Sequence, residues 1–407
     1  MNIKIKLLFY TVLIYSIGLA QHIENHWVRQ SQGVFNTLED VDFYNDDYGC
    51  AVGIWGSIGV TTNGGQSWVK KNFNTTTFNA VQQVTENNIY ITGGNNIFFS
   101  SDRGENWTNQ ISTLGISTDL RDIFFIDSLR GWAVGSENTI LRTIDAGNNW
   151  EVLDSDLPPS QENWLMSVFF TSPNIGWVVG GDNTDTGVVL NTTNGGDTWS
   201  SVDVGISLWF NKVYFQNEMK GWVLGSDQTI LQTIDGGLSW NSKNTPMQSD
   251  AFTVISFSTE NVGWLVGGNS ILFKTTDNGE TWTNVEGTPS SINAIHFSSE
   301  GNGWLVGGDF GNVSPPAGQI WTYDTDLSTQ DNSISKIQLY PNPSSDIIKI
   351  DLSENNIGES IEVFNLQGKQ ILSSTIINTQ TEINVSNYER GMYFLKIGNQ
   401  KTKFIKN

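Results

Sequence analysis

Between about residues 38 and 323 the chain alternates short apolar runs with polar turns rich in Gly, Asn and Asp. One kind of run pairs β-branched and aromatic residues, as at Val41-Asp42-Phe43, Ile123-Phe124-Phe125, Val213-Tyr214-Phe215 and Ile295-His296-Phe297. A second kind is apolar throughout and bounded by glycine, as at Gly131-Trp132-Ala133-Val134-Gly135 and from Gly176-Trp177, Gly221-Trp222, Gly263-Trp264 and Gly303-Trp304. A third follows after a loop, as at Thr139-Ile140-Leu141-Arg142-Thr143, and a Trp opens a fourth. Runs of this length and composition between turn formers predict strands. No segment of this region keeps a helical period.

The turn before the fourth run recurs six times, at 61–68, 100–107, 143–150, 192–199, 233–240 and 275–282. Its form is Ser/Thr-x-Asp/Asn-x-Gly-x-x-Trp, and the Trp-to-Trp steps are 39, 43, 49, 41 and 42 residues. A period near 40 with four short strands per unit predicts a β-propeller with one four-stranded blade per repeat. Seven first-strand runs occur, from Val41, Val81, Ile123, Val168, Val213, Ile255 and Ile295, and the last unit ends at Ile320-Trp321-Thr322 without the turn. Trp27 stands 41 residues before Trp68, in register with the other tryptophans. The expected architecture is therefore all-β: a seven-bladed β-propeller whose last blade is closed by the N-terminal strand, followed by a small β-sandwich. Closure removes the sheet edges that would pair with other chains. Two units depart from the pattern: Ile89-Tyr90 and Gly49-Cys50 replace Gly-Trp. Cys50 reads as a buried apolar substitute.

The two ends differ from the repeats. Residues 1–20 read as a secretory signal, with basic Lys4 and Lys6, an apolar run from Leu7 to Leu19, and small Gly18 and Ala20 before a cut ahead of Gln21. No Cys follows that cut, which argues against lipid attachment, and a single cysteine excludes an internal disulfide. The expected domains are the signal at 1–20, the propeller at 21–326, a polar linker at 327–333 and a second domain at 334–407. In that last stretch Trp disappears, Lys increases, and alternation such as Ile347-Ile348-Lys349-Ile350-Asp351-Leu352 predicts the sandwich. Leu339-Tyr340-Pro341-Asn342-Pro343, Ile361 to Lys369, Gly391-Met392-Tyr393-Phe394-Leu395 and the Lys-rich end make this tail resemble the type A sorting domain of the type IX secretion system. The resemblance implies a Bacteroidetes-type cell, Sec export, passage of the outer membrane through the type IX machinery, and release or anchoring at the surface.

The formal net charge is −21, and loss of Lys4 and Lys6 with the signal takes it to about −23. Only six arginines are present, so a nucleic-acid partner, which needs clustered cations, is disfavoured. No transmembrane span is expected after the signal. An Asp-rich surface could recruit calcium, but no ordered calcium loop is present and no metal or cofactor is expected.

The six turns resemble the Asp-box, or BNR, repeat shared by sialidases and other glycosidases. The whole unit, Gly-Trp-x-Val-Gly followed by the box, resembles the Ycf48/Hcf136-like family over about residues 22–326. The box residues Asn63, Asp102, Asp145, Asn194, Asp235 and Asp277 are expected to be structural, bonding their own turn's backbone. Sialidase chemistry requires an arginine triad, a Tyr–Glu pair and an acid/base Asp. Here Arg29, Arg121 and Arg142 occupy unmatched repeat positions. A photosystem-assembly role has no setting in an exported acidic protein.

The candidate binding residues lie at the opposite end of the blades, just before the first strands. In each repeat the residue two places before the strand's polar–apolar alternation is apolar (Leu38, Phe78, Leu120, Leu165, Phe210, Phe252, Ile292) and is expected in the core. Ahead of it, consecutive blades carry Trp164 and Trp209, a potential stacking platform for sugar rings or a peptide. The long second-to-third loops add Asp182, Asp185 and Asp309, and Arg121 completes the set. Asp119 and Asp122 flank Arg121, which suggests a local ion pair. His22, His26 and His296 are not placed for a Ser-His-Asp triad, so no catalytic residue is assigned. The expectation is a non-catalytic exported binding module for a glycan or a protein partner. The alternatives are a polysaccharide-active glycoside hydrolase using rim carboxylates such as Glu39, Asp40, Asp119, Asp122 or Asp227, and a structural scaffold of a surface complex.

Overall fold

A computed structural model describes residues 27–30, 35–73, 76–158, 163–245, 251–268, 271–285, 291–299, 301–309, 317–323, 338–340, 343–352, 357–365, 369–397 and 400–407. The signal at 1–20, the linker at 327–333, His22 and His26 lie outside the described residues. The chain divides into two compact units, 1–328 and 329–407.

The first unit is a seven-bladed propeller of four-stranded antiparallel sheets. The first strands of blades 1 to 7 are Leu38–Phe43, Ala80–Gln83, Leu120–Phe125, Asn163–Phe170, Phe210–Phe215, Phe252–Phe257 and Ile292–Ser299. The second strands are Gly49–Gly53, Ile89–Gly93, Gly131–Gly135, Gly176–Asp182, Gly221–Gly225, Gly263–Gly267 and Asn302–Asp309. Trp27–Arg29 pairs antiparallel with Ala317–Tyr323, in the register Trp27 to Tyr323, and supplies the fourth strand of blade 7. Ring closure by the N-terminal strand is thus as the Trp spacing predicted.

The Gly-Trp strands explain how neighbouring blades hold together. All five residues of Gly131–Gly135, Gly221–Gly225 and Gly263–Gly267 are buried, because both faces of the sheet are covered by adjacent blades. The glycine leaves room for the Phe that ends the first strand: a Cβ at Gly131 would lie 2.6 Å from the Phe125 ring, and one at Gly176 2.4 Å from Phe170. The Phe ring, lying flat on that glycine, then stacks on the Trp of the preceding blade. Phe43 stacks on Trp304 at 3.4 Å between centroids, Phe170 on Trp132 at 3.5 Å and Phe297 on Trp264 at 4.1 Å. Tyr90 replaces Trp in blade 2 and stacks on Phe125 at 4.0 Å. Each such pair contributes about 0.5–1.5 kcal/mol beyond area burial. The seam between blades 1 and 2 is the exception: Cys50 and Gln83 stand where the other seams have Trp and Phe, and both are buried.

The second unit, over 338–407, is a small sandwich. A three-stranded sheet of Gln338–Tyr340, Ile347–Asp351 and Gln380–Asn384 accompanies a four-stranded sheet in the order Gln370–Thr375, Ser360–Asn365, Gly391–Ile397, Gln400–Lys406. Alternation along Gly391–Ile397 sends Tyr393, Leu395 and Ile397 into a core with Ile348, Ile350, Ile361, Val363 and Phe404.

Candidate functional site

The two ends of the blades use polar residues differently. At one end lie the first-to-second and third-to-fourth turns, the latter being the boxes. In all six, the Ser/Thr hydroxyl accepts the N–H of the glycine four residues on at 2.8–2.9 Å, as from Gly65 to Thr61 and Gly237 to Thr233. The Asp/Asn carboxyl or amide oxygen accepts the N–H four residues on, at 3.0 Å for Asn63, 2.8 Å for Asp102 and Asp145, 3.1 Å for Asn194, and 2.9 Å for Asp235 and Asp277. Those bonds, led by that of the Asn106 backbone, pull Asp102 down to about 2. Each box also docks on its own blade's first turn, as Gly195 N–H donating to Asn174 and Gly236 N–H to Met219.

The same turns receive the preceding blade. Trp132 Nε1 donates to Gly195 O at 3.1 Å, Trp304 Nε1 to Gly64 O at 3.1 Å, and Tyr90 OH to Ala146 O at 2.9 Å. Box and Gly-Trp strand are therefore two halves of one latch between successive blades. The Ser/Thr and Asp/Asn side chains of the boxes are thereby committed within their own turns.

At the other end, the rim, the residues before the first strands are the predicted site. The apolar column is buried as expected, from Leu38 and Phe78 to Ile292. The next residue along is Asn79, Asn211 or Asn293 in three blades, and each amide reaches the following blade: to Leu120 O at 2.7 Å, Phe252 O at 2.9 Å and Leu38 O at 2.8 Å. Blades 1, 3, 4 and 6 carry Glu39, Arg121, Met166 and Thr253 there, so this ring is regular in its fold role and irregular in its chemistry.

Trp164 and Trp209 are both half-buried and converge on Gly181. Trp164 is the cross-strand partner of Gly181, and the Trp209 ring lies 3.1 Å from where a Gly181 Cβ would sit. The Trp164 ring carries the Arg121 guanidinium at 4.5 Å, and Arg121 is paired with Asp119 at 2.8 Å. The two rings thus face different neighbours, Trp164 toward blade 3 and Trp209 toward blade 4. Asp182 is used by its own loop, accepting from Thr184 N–H, the Thr184 hydroxyl and Thr186 N–H, and these bonds, the Thr184 hydroxyl first, lower its pKa. Asp185 stands exposed in the same loop with φ of 60°. Asp309 ends its strand opposite Ala317, and its side chain lies outside the described residues.

Below the rim, the axial channel holds the acids considered for hydrolysis. Asp122 accepts from Ile123 N–H, Val168 N–H and the Ser167 hydroxyl, and pairs with Lys212 Nζ at 3.1 Å from two blades away. Asp40 accepts from Val81 N–H at 2.8 Å, and burial lifts its pKa to about 7. Asp42 accepts from Gln83 N–H and meets His296 Nδ1 at 3.1 Å. First strands meet around the axis, and these side chains satisfy the N–H groups along the neighbouring strand. They serve as ties between blades.

One rim residue escaped the sequence reading. Trp55, in the turn between the second and third strands of blade 1, is 52% exposed and has φ 53° and ψ 38°. Gly56 follows at φ 69°, so both central residues are left-handed, the pattern of a type I′ hairpin turn. Asn or Gly is the usual choice there, and a bulky side chain is strained. The turn is tied to the rim by Ile54 N–H to Thr37 O and Gly56 N–H to Thr76 O. The Trp-Gly dipeptide was the available signal.

Comparison with known proteins agrees with this architecture. Residues 108–209 and 199–296 match the family described as photosynthesis system II assembly factor YCF48, and residues 338–407 match the secretion system C-terminal sorting domain. The chain is a YCF48-like BNR propeller with a type IX sorting tail. Among solved structures, a YCF48 bound to a D1 peptide is 22% identical with a TM-score of 0.61, over 76% of this chain and 98% of its own. YCF48 from Cyanidioschyzon merolae is 16% identical at 0.60, over 74% and 99%. PorZ, a surface component of the type IX system of Porphyromonas gingivalis, is 14% identical at 0.53, covering 93% of this chain and 60% of PorZ. These likenesses show the fold alone. Beta-agarase A of Zobellia galactanivorans is 30% identical over 67 residues, so the chain spans 16% of itself and 12% of the agarase in that match. The sorting tail directs the YCF48-like propeller through Sec and type IX export to the cell surface or the medium. Among the described residues no helix is long and apolar enough to cross a membrane, and no cluster of His, Cys, Asp or Glu is placed to hold a metal.

Proposed function

We propose that the exported YCF48-like propeller is a non-catalytic binding module that takes a protein segment or a glycan on its rim. The observation that carries this reading is Trp55, a large aromatic held out in solvent in a strained conformation at the end of the blades that the latches do not use. Trp209 and the Trp164–Arg121 stack extend the aromatic surface across the same rim, with Asp185 exposed in the turn between the second and third strands of blade 4. A YCF48 of the same fold has been solved bound to a D1 peptide, which supports a polypeptide as one class of ligand. A hydrolase is less well supported, because Asp40, Asp42 and Asp122 are tied to backbone N–H groups of the next blade.

The test uses the mature chain on panels of peptides and polysaccharides, with binding and products read together by mass spectrometry. Binding without shortened products, weakened by Trp55→Asn and Trp209→Ala, is the expected result. Shortened glycans would overturn the non-catalytic assignment and return attention to the channel acids.

A further inference from the structure

A second recess opens at the box end, between blades 5 and 6. It encloses about 350 Å³ and is lined by Tyr214, Gln216, Asn217, Phe257, Thr259 and Glu260, with Ser258 beside them. We propose that this recess is a binding site for one residue of a neutral oligosaccharide. It lies at the opposite end of the blades from Trp55 and Trp209, and it does not depend on the rim reading.

The argument starts from hydrogen-bonding groups the fold leaves unused. Gln216 Nε2 donates to the main-chain oxygens of Thr259 at 3.2 Å and Glu260 at 2.9 Å. Two carbonyl oxygens accept only from the NH₂ end, so the amide orientation is determined by its partners. That leaves Gln216 Oε1 buried with no donor. A donor that enters the recess, a water or a ligand hydroxyl, would satisfy this acceptor. The Tyr214 hydroxyl has no partner among the described residues, and burial lifts it to about 12, so it remains a protonated donor at any physiological pH. Asn217 spends its oxygen on Met219 and Lys220 N–H groups, which leaves its NH₂ to donate. Glu260 is exposed and adds an acceptor.

The apolar part is aromatic. Tyr214 and Phe257 lie within 10° of parallel with centroids 5.9 Å apart. Phe257 belongs to the core between the blades and backs the half-buried Tyr214, whose ring supplies the apolar contact; an apolar ring beside separate donors and acceptors suits a pyranose, which has an apolar C–H face and hydroxyls that both donate and accept. Glu260 and the formal charge of −21 disfavour sulfated or uronic sugars.

The test titrates the full mature chain with neutral hexasaccharides of a β-1,3-glucan, a β-1,4-glucan and agarose, followed by calorimetry. Tyr214→Phe keeps the ring and removes a hydroxyl the fold does not use, and Glu260→Gln changes an exposed group, so both are expected to fold as the wild type. Each should weaken binding about two- to tenfold, one hydrogen bond's worth. Gln216→Met should abolish it, with unfolding followed separately because that amide also bridges the blades. No binding of any of the three sugars by the wild type, or binding that Tyr214→Phe and Glu260→Gln leave unchanged, would overturn the proposal. Sugar binding lost on Trp209→Ala and kept in Tyr214→Phe would also overturn it while supporting the rim reading.

Discussion

The box end and the rim of this propeller are built from similar residue types with opposite consequences. At the box end Asp or Asn makes the same bond in six blades, and Trp132, Trp304 and Tyr90 each reach from the preceding blade to a box carbonyl. At the rim the equivalent places hold Trp, Asn, Arg, Met and Glu, and only the Asn positions repeat one contact. A polar group that recurs in every repeat is used by the repeat. A residue that appears once, exposed or strained, is available for something outside it.

Removing a latch should have the largest effect. Trp304→Ala deletes both the stack on Phe43 and the bond to Gly64 where blade 7 meets blade 1, and should lower stability by about 3–5 kcal/mol in urea unfolding. A loss below about 1 kcal/mol would mean the latches do not hold the ring. In the channel, Lys212→Met strands Asp122 and Asp40, and should cost about 2–3 kcal/mol, less than for a fully dry pair because the channel admits solvent.

Asp40 gives a pH signature. Its native pKa, about 7, lies above the ordinary aspartate value of 3.8, so between these values the native state binds a proton that the unfolded chain does not. Stability contributed by this group is therefore greatest in acid and falls as pH rises from about 4 to about 7. Relative to Asp40→Asn, the wild type should lose about 2 kcal/mol across that window, half the unscreened figure for three units. A flat difference between the two proteins would show that the carboxyl is solvated.

The box turns are worth less individually. Asn194→Ala removes the acceptor for Thr198 N–H, and should cost about 1 kcal/mol, as for a lost helix cap. The smallest stability effect is expected at the rim, where Trp55→Asn replaces a strained aromatic with a residue at ease in the left-handed region and should change unfolding by less than about 1 kcal/mol. Its expected consequence is loss of ligand affinity, and a large fall in stability instead would make Trp55 a packing residue.

How far the sequence was legible follows from distance along the chain. The strands, the period and the apolar column from Leu38 to Ile292 are local patterns, and they read correctly. The use of the channel's polar side chains is decided by partners one or two blades away. Asp122 looked like a partner for Arg121, but the channel gives it to Val168 and Lys212, while Arg121 goes to Asp119 and the Trp164 face. Asp182 looked like a free loop acid and is spent on its own turn. Trp55 drew no assignment from the sequence, because its φ angle is set by the fold of the turn.

The sequence by itself determined seven blades, a ring closed by Trp27–Arg29 and a separate sorting sandwich, because the 40-residue period and strand alternation are set by local sterics and burial. The tertiary structure alone decided which rings stack across blades, which carboxyls tie the channel, and which groups, Trp55 and the Gln216 oxygen among them, remain unspent. Those outcomes depend on how one blade's first strand meets the next at the axis, and no run of neighbouring residues encodes that meeting.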